Sequence, residues 1–413
     1  MVVFFCALIL YYINLPPHVE VDCIPAPYAA WSLVRTGSFD LSIYSKLDSL
    51  RNGAVIGNNS GQWLSKYPPG STLIALPIVL PIAIFREEPL RSDYMRRVGK
   101  LTAAVSVAAA LTLFYLLCLE LVPVGAKLAT ILLGAGTCIW PVASQALWTH
   151  GPATLWITLA LYLFLKPSTL TLPRSGLAGL ALGMAMITRP TTVLFAVASF
   201  LVLAWKEGWR PALAFAAGTA PLLLFFLGFN IWYFDAPFAG GYGNEAGRWG
   251  HPFWSGFAGL LVNPSRGLLV YTPAFLLLPF GVRPLLTGIT RNQNERSKAM
   301  LLAWLAAAFA TILLYSRWHV WWGGWCFGPR FLIETFPILC LLFAYAITRF
   351  QSARGRTLVH SLIAISLLIH CIGVFGHDRG AWHTRHPDGP GFTLHDTQIE
   401  ASARHLVAKL LGD

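Results

Sequence analysis

Apolar residues run along this chain in long blocks, and runs long enough to cross a bilayer core of ~30 Å recur from one end to the other. The polar breaks between them predict helices over roughly 101–122, 128–142, 152–165, 176–188, 191–205, 211–232, 268–284, 299–315, 330–348 and 357–375. Residues 1–15 are short for a span. They lack a basic leading region and an Ala-x-Ala cleavage site, so they read as a retained helix clipped at its start and not as a signal peptide. Segment 67–85 is different again, because prolines such as Pro77 and Pro81 are awkward in a straight span. It reads as a re-entrant or surface-lying helix; the alternative is a true span with an odd number of crossings between 101 and 142.

Charge orients these helices. Arg349, Arg354 and Arg356 mark one cytoplasmic loop, Arg283, Arg291, Arg296 and Lys298 a second, and Lys206 with Arg210 a third. Residues 233–267, 316–329 and the tail then lie outside, as does a long first loop, 16–100. The count comes to about eleven spans. One conflict remains, since the basic stretch 86–100 would be external, against the positive-inside rule. The fold class expected is an all-α polytopic membrane protein, with a transmembrane domain over 1–375 and a short external extension over 376–413. In that extension 397–411 has helical spacing suited to a small cap, and its scattered histidines read as surface residues and not as a metal site.

Composition agrees. With 56% hydrophobic and 12% charged residues, and a mean hydropathy of +0.60, an ordinary soluble protein is excluded. The net charge of +12 is spread over short loops, which argues for a topology signal and against nucleic acid. The seven cysteines show no CxxC pairing, and only Cys23 and Cys326 fall in loops on one face, where a disulfide is the minor reading.

The polar residues kept out of the apolar blocks carry the candidate chemistry. Glu20 and Asp22 follow the first apolar segment; two carboxylates at this spacing share a face in extended backbone, and such a pair holds a cation or contains one group with a shifted pKa. Residues 25–37 can form an amphipathic helix at the membrane surface, ended by Gly37. Lys66-Tyr67-Pro68-Pro69-Gly70 can aim an ammonium at a phosphate or simply snorkel. His150 and Trp148 fall at the next external junction, and Arg189 lies between two short helices at membrane depth, where an ionisable residue is a functional candidate. The loop after 233 holds Tyr242 near Glu245, and Asn263-Pro264-Ser265-Arg266-Gly267, which is also good turn chemistry. Trp318, Trp321, Trp322 and Trp325 lie within eight residues, followed by Gly328-Pro329-Arg330. Aromatic faces stack on sugar rings, and an arginine at a membrane boundary binds a phosphate head group. No phosphate-binding GxxxxGK[ST] loop, dinucleotide fingerprint or HExxH is present.

Together these motifs resemble the GT-C superfamily of membrane glycosyltransferases, which includes the protein O-mannosyltransferases and aminoarabinose transferases. The resemblance rests on Glu20-x-Asp22, Lys66 to Gly70, the junction ending in His150, Arg189-Pro190, Arg266-Gly267 and Trp321-Trp322 through Arg330, so it spans residues 20–330. It implies inverting transfer of a sugar from a polyprenyl-phosphate carrier to a hydroxyl of a glycan, lipid or protein acceptor, on the periplasmic side of a bacterial inner membrane. Asp22 would be the general base. Glu20 would assist it by orienting Asp22 or by sharing a divalent metal with it. Lys66, Arg189, Arg266 and Arg330 would hold the donor phosphate, with Tyr67, His150, Tyr242, Trp321 and Trp322 binding substrate. Several relatives carry a second acid near the next external junction, whereas residues 143–151 contain none. The reading from another class is a transporter or flippase of lipid-linked saccharides, although no internal repeat supports it.

Overall fold

The computed structural model describes residues 1–14, 18, 21–44, 54–86, 92–238, 240–287, 295–378 and 380–412. Without water to satisfy backbone groups, an apolar run must bond within itself, and helices result. The first stretch contains α1 (Val2–Tyr12), α2 (Pro25–Thr36), a small antiparallel ribbon of β1 (Val55–Gly57) and β2 (Trp63–Ser65), and α3 (Gly70–Phe85). The next contains α4 (Ser92–Leu121), α5 (Pro123–Ala135), α6 (His150–Leu165), α7 (Leu172–Thr188), α8 (Val193–Lys206) and α9 (Trp209–Phe234). Then come α10 (Phe253–Val262), α11 (Leu268–Tyr271), α12 (Pro279–Thr287), α13 (Glu295–Ser316), α14 (Phe336–Ile347) and α15 (Ala353–Phe375), with α16 (Ala381–Arg385) and α17 (Gln398–Leu411) in the tail. The protein is an all-α polytopic membrane protein. Among the described residues five helical stretches are long and apolar enough to cross a bilayer, and six shorter apolar helices of 10–17 residues accompany them.

The structure revises several boundaries. α4 begins at Ser92 and not at 101, and its 30 residues extend ~45 Å. Lys100 is thereby an internal group, with Nζ 3.0 Å from Asn14 Oδ1, and not the exposed loop charge that the topology count treated as a conflict. The expected helix over 268–284 is broken into α11, a 3-10 turn at Pro273–Leu277 and α12, because Pro273 and Pro279 cannot donate to the preceding turn. The span expected from 330 starts as a 3-10 turn, Arg330–Thr335, before α14. Cys23 and Cys326 are both buried free thiols.

Close approach between spans depends on small residues. A Cβ on Gly179 would lie 2.0 Å from the Phe215 carbonyl oxygen, and one on Gly218 equally close to that of Gly176, so α7 and α9 meet backbone to backbone. At the membrane surface α2 ends at Gly37 in the left-handed conformation (φ +69°), as its sequence predicts. Its Tyr28 and Trp31 are buried in one cluster with Ala75, Val79 and Ala83 of α3. With 16 residues α3 reaches only ~24 Å, less than a full hydrocarbon core. In the tail, α17 is capped by Thr397, whose hydroxyl accepts from the Glu400 amide.

Candidate active site

Short, non-helical pieces of chain converge at one end of the bundle around a cavity of about 700 Å³. Asp22 sits on a 3-10 turn, Val21–Cys23, between α1 and α2. Lys66, Tyr67 and Pro68 arrive from the segment joining β2 to α3. Gly70 makes that approach feasible, because a Cβ there would fall 2.6 Å from the Thr188 Cα, beside Arg189. Trp148 and His150 come from the start of α6, Arg189 and Thr191 from the α7–α8 junction, and Tyr242 and Glu245 from the loop after α9. Tyr315, Trp318, His319, Trp325, Arg330 and Phe331 close the other wall, while Phe226, Phe229, Phe234 and Phe238 make one side strongly apolar.

Three ion pairs organise the polar side. Arg330 Nη1 lies 3.1 Å from Asp22 Oδ2, with its guanidinium 4.3 Å from the centroid of the Trp148 ring. Lys66 Nζ lies 2.6 Å from Glu245 Oε2 and 5.4 Å from the Tyr242 ring centroid. Arg189 Nε is 3.0 Å from Glu334 Oε1, and the same oxygen is 2.8 Å from His150 Nδ1. Arg189 also donates to the Tyr315 hydroxyl and lies 5.5 Å from the Phe331 ring centroid, on which Tyr315 stacks at 4.5 Å. Burial pushes the Tyr67 hydroxyl well above its ordinary pKa, and the Asp22 carboxylate beside it adds to the push, so a protonated Tyr67 donates to Asp22. Burial likewise raises Tyr242. His319 is lowered by burial and then by Arg248, which favours its neutral form.

Seven of the residues singled out from sequence therefore face one cavity: Asp22, Lys66, Tyr67, His150, Arg189, Tyr242 and Arg330. Glu20 lies outside the described residues. Arg266, Trp321 and Trp322 lie elsewhere, and the cavity does not reach them. Arg266 is completely buried; it donates to the carbonyls of Cys326 (2.6 Å) and Gly324 (3.1 Å) and to Gln398 Oε1. Those acceptors occupy the fork that was expected to hold a phosphate. Trp321 packs on Gly259, where a Cβ would meet its ring at 2.4 Å, and Trp322 packs on Gly389 of the tail. The neighbouring Trp318 and Trp325 supply the aromatic surface instead.

The acid absent from residues 143–151 has a counterpart from a distant element. Glu334 enters from the 3-10 turn ahead of α14, is 2% exposed, and aligns both His150 and Arg189. A lone glutamate inside an apolar run was the sequence signal for it. Among the described residues no group of three His, Cys, Asp or Glu side chains is placed to hold a metal; Glu20, the expected co-ligand of Asp22, lies outside them.

No family model matches the sequence, and no curated protein matches it either. In three dimensions the chain is similar to ArnT from Cupriavidus metallidurans bound to undecaprenyl phosphate. The TM-score is 0.53 at 13% identity, covering 100% of this chain and 75% of that one. It is also similar to the archaeal oligosaccharyltransferase AglB from Archaeoglobus fulgidus, solved in complex with an inhibitory peptide and a dolichol-phosphate. There the TM-score is 0.53 at 14% identity, over 98% of this chain and 55% of AglB, about half of its length. Both are GT-C glycosyltransferases, and this chain shares their fold.

Proposed function

We propose that the protein is a glycosyltransferase that moves a sugar from a polyprenyl-phosphate carrier to an acceptor hydroxyl at the external, periplasmic face of a bacterial inner membrane. The observation that carries this reading is the cavity itself, in which the carboxylates Asp22 and Glu245 share about 700 Å³ with Lys66, Arg189 and Arg330 beside a wall of phenylalanines. A polyprenyl phosphate needs both halves of that lining: cations for the head group and apolar surface for the chain. The basic loops at the opposite ends of the helices support an external position for this face.

In the reaction, the acceptor oxygen attacks the anomeric carbon as its proton passes to the Asp22 carboxylate. The bond from that carbon to the phosphate oxygen breaks, and its electron pair leaves with the polyprenyl phosphate. Arg330, 3.1 Å from Asp22, sits where it can steady the base and meet the charge growing on the leaving group. Arg189 and Lys66 line the same cavity as further cations for that group, and Tyr67 and Tyr242 supply neutral donors. Glu20 is the proposed partner of Asp22, through orientation or a shared metal. No step here runs through a metal.

The test is Asp22→Asn in purified protein given a labelled polyprenyl-phosphate sugar. General-base participation is worth about 10²–10⁴-fold, so transfer should fall by that factor while donor binding persists. Unimpaired transfer would remove Asp22 from the mechanism.

A further inference from the structure

Each cation that faces the cavity already has a carboxylate: Arg330 has Asp22, Arg189 has Glu334 and Lys66 has Glu245. The polar wall is therefore balanced before any anion enters, and a phosphate has to compete for its ligands. The three carboxylates are not equally easy to displace. The Glu334 side chain is 3% exposed and also holds His150, so moving it would strand a buried charge. Asp22, 21% exposed, is tied to Tyr67 as well as to Arg330. The Glu245 side chain is 38% exposed, so water can solvate it once it leaves.

The backbone favours the same choice. Glu245 rides on a single 3-10 turn, Gly243–Gly247, entered through Gly240 and Gly243, both at positive φ (+52° and +48°). The Lys66 main chain is anchored away from that turn, its amide donating to the Ala54 carbonyl at 2.8 Å. Its ammonium also lies 5.4 Å from the centroid of Tyr242, the residue that opens the turn, and a Cβ on Gly241 would fall 2.4 Å from the Lys66 carbonyl oxygen. Lys66 thus stays in place when its partner moves.

We propose that Glu245 is a placeholder for the donor's phosphate. It occupies Lys66 before the donor binds, and the donor's phosphate, a diester that becomes a monoester when the sugar leaves, takes over the ammonium while the glutamate turns to solvent. This rests on the reading of the cavity as a polyprenyl-phosphate site and adds an exchange step to it. A carboxylate left beside the phosphate would repel it, so the sign of the effect is unusual: removing a charged cavity residue strengthens binding.

The probe is farnesyl monophosphate, titrated calorimetrically into full-length protein in detergent. Glu245→Gln and Glu245→Ala should each bind it roughly three- to tenfold more tightly than the wild type, the range expected for loss of one partly exposed ionic competitor. Lys66→Ala should bind more weakly. In the Lys66→Ala background Glu245→Gln should bring no gain, because the competition has lost its object. Equal or weaker binding by both Glu245 variants, or a gain that persists without Lys66, overturns the placeholder while leaving the phosphate site standing. Wild-type affinity in both Lys66→Ala and Arg330→Ala overturns the phosphate site and the placeholder with it.

Discussion

Arg266 and Arg330 serve the same loop in different ways, one bonding to its carbonyls and the other standing at its end and pairing with Asp22. Both follow turn-forming residues, Pro-Ser in one and Gly-Pro in the other, and both looked from sequence like forks waiting for a phosphate. Arg330 keeps an open side. It has one carboxylate at 3.1 Å, an aromatic ring beneath it, and a position on the cavity wall. Arg266 has spent its hydrogen bonds on the carbonyls of Gly324 and Cys326 and on Gln398, with the Trp382 ring centroid 5.3 Å away. An arginine can recognise a ligand only with donors that the fold has left unused. Arg266 is the back support of the loop whose front presents Arg330. The support extends into the tail, since Gln398 also accepts from the Gly328 amide and the Tyr271 hydroxyl.

The sharpest way to break this comparison is to truncate each arginine in turn. Arg266→Ala removes a fully buried guanidinium together with its bonds to the Gly324 and Cys326 carbonyls and to Gln398, and leaves a cavity in its place. It should destabilise the folded protein by about 3–5 kcal/mol, read as a large fall in Tm in detergent. Arg330→Ala should do the reverse. Its Tm should move little, and kcat should fall about 10²–10³-fold, as for loss of one preorganised donor to developing charge. If Arg266→Ala melted like the wild type but lost turnover, the two residues would have to exchange roles.

Sequence and structure part company at this same place. The span pattern was legible because burial in lipid leaves hydropathy little to compete with. Gly37 was legible because a helix cap is local: a left-handed glycine ends α2. The convergence of Asp22, Lys66, His150, Arg189 and Arg330 followed from placing all their loops on one face. Facing inward or outward within that layer was not legible. Trp318 and Trp325 line the cavity while Trp321 and Trp322 are taken up by Gly259 and Gly389, a choice made by glycines far along the chain. Glu334 was missed for a related reason. Attention to external loops passed over an acid in an apolar run, although its burial there demanded partners.

A smaller effect tests whether the support behind the loop is as fixed as its hydrogen bonds suggest. The His383 ring stacks on Trp325 at 5.7 Å, joining the cavity wall to the tail. Its Nδ1 faces Arg266 Nη2 at 3.3 Å, and its Nε2 faces the Gln398 amide nitrogen at 3.2 Å. A neutral imidazole has one nitrogen that accepts, whereas an imidazolium would turn N–H groups towards donors on both sides. Burial first, and Arg266 next, with His377, Arg330 and His386 adding to them, push His383 down to about 2. His18, stacked on His377 at 4.4 Å, is pushed the same way by burial. Because the folded pKa lies below the unfolded value of about 6.5, the unfolded tail binds the proton more readily. The stabilisation is fully present above pH ~6.5 and is lost as pH falls below it, by about 1.4 kcal/mol from His383 at pH 5.5. Hydrogen exchange across 398–411, corrected for intrinsic rates, should therefore quicken about tenfold between pH 7.5 and 5.5, and His383→Gln should flatten most of that slope. Protection that stayed constant over this range would mean that the tail holds Arg266 without His383. The loop in front would then owe its shape to the carbonyl contacts alone.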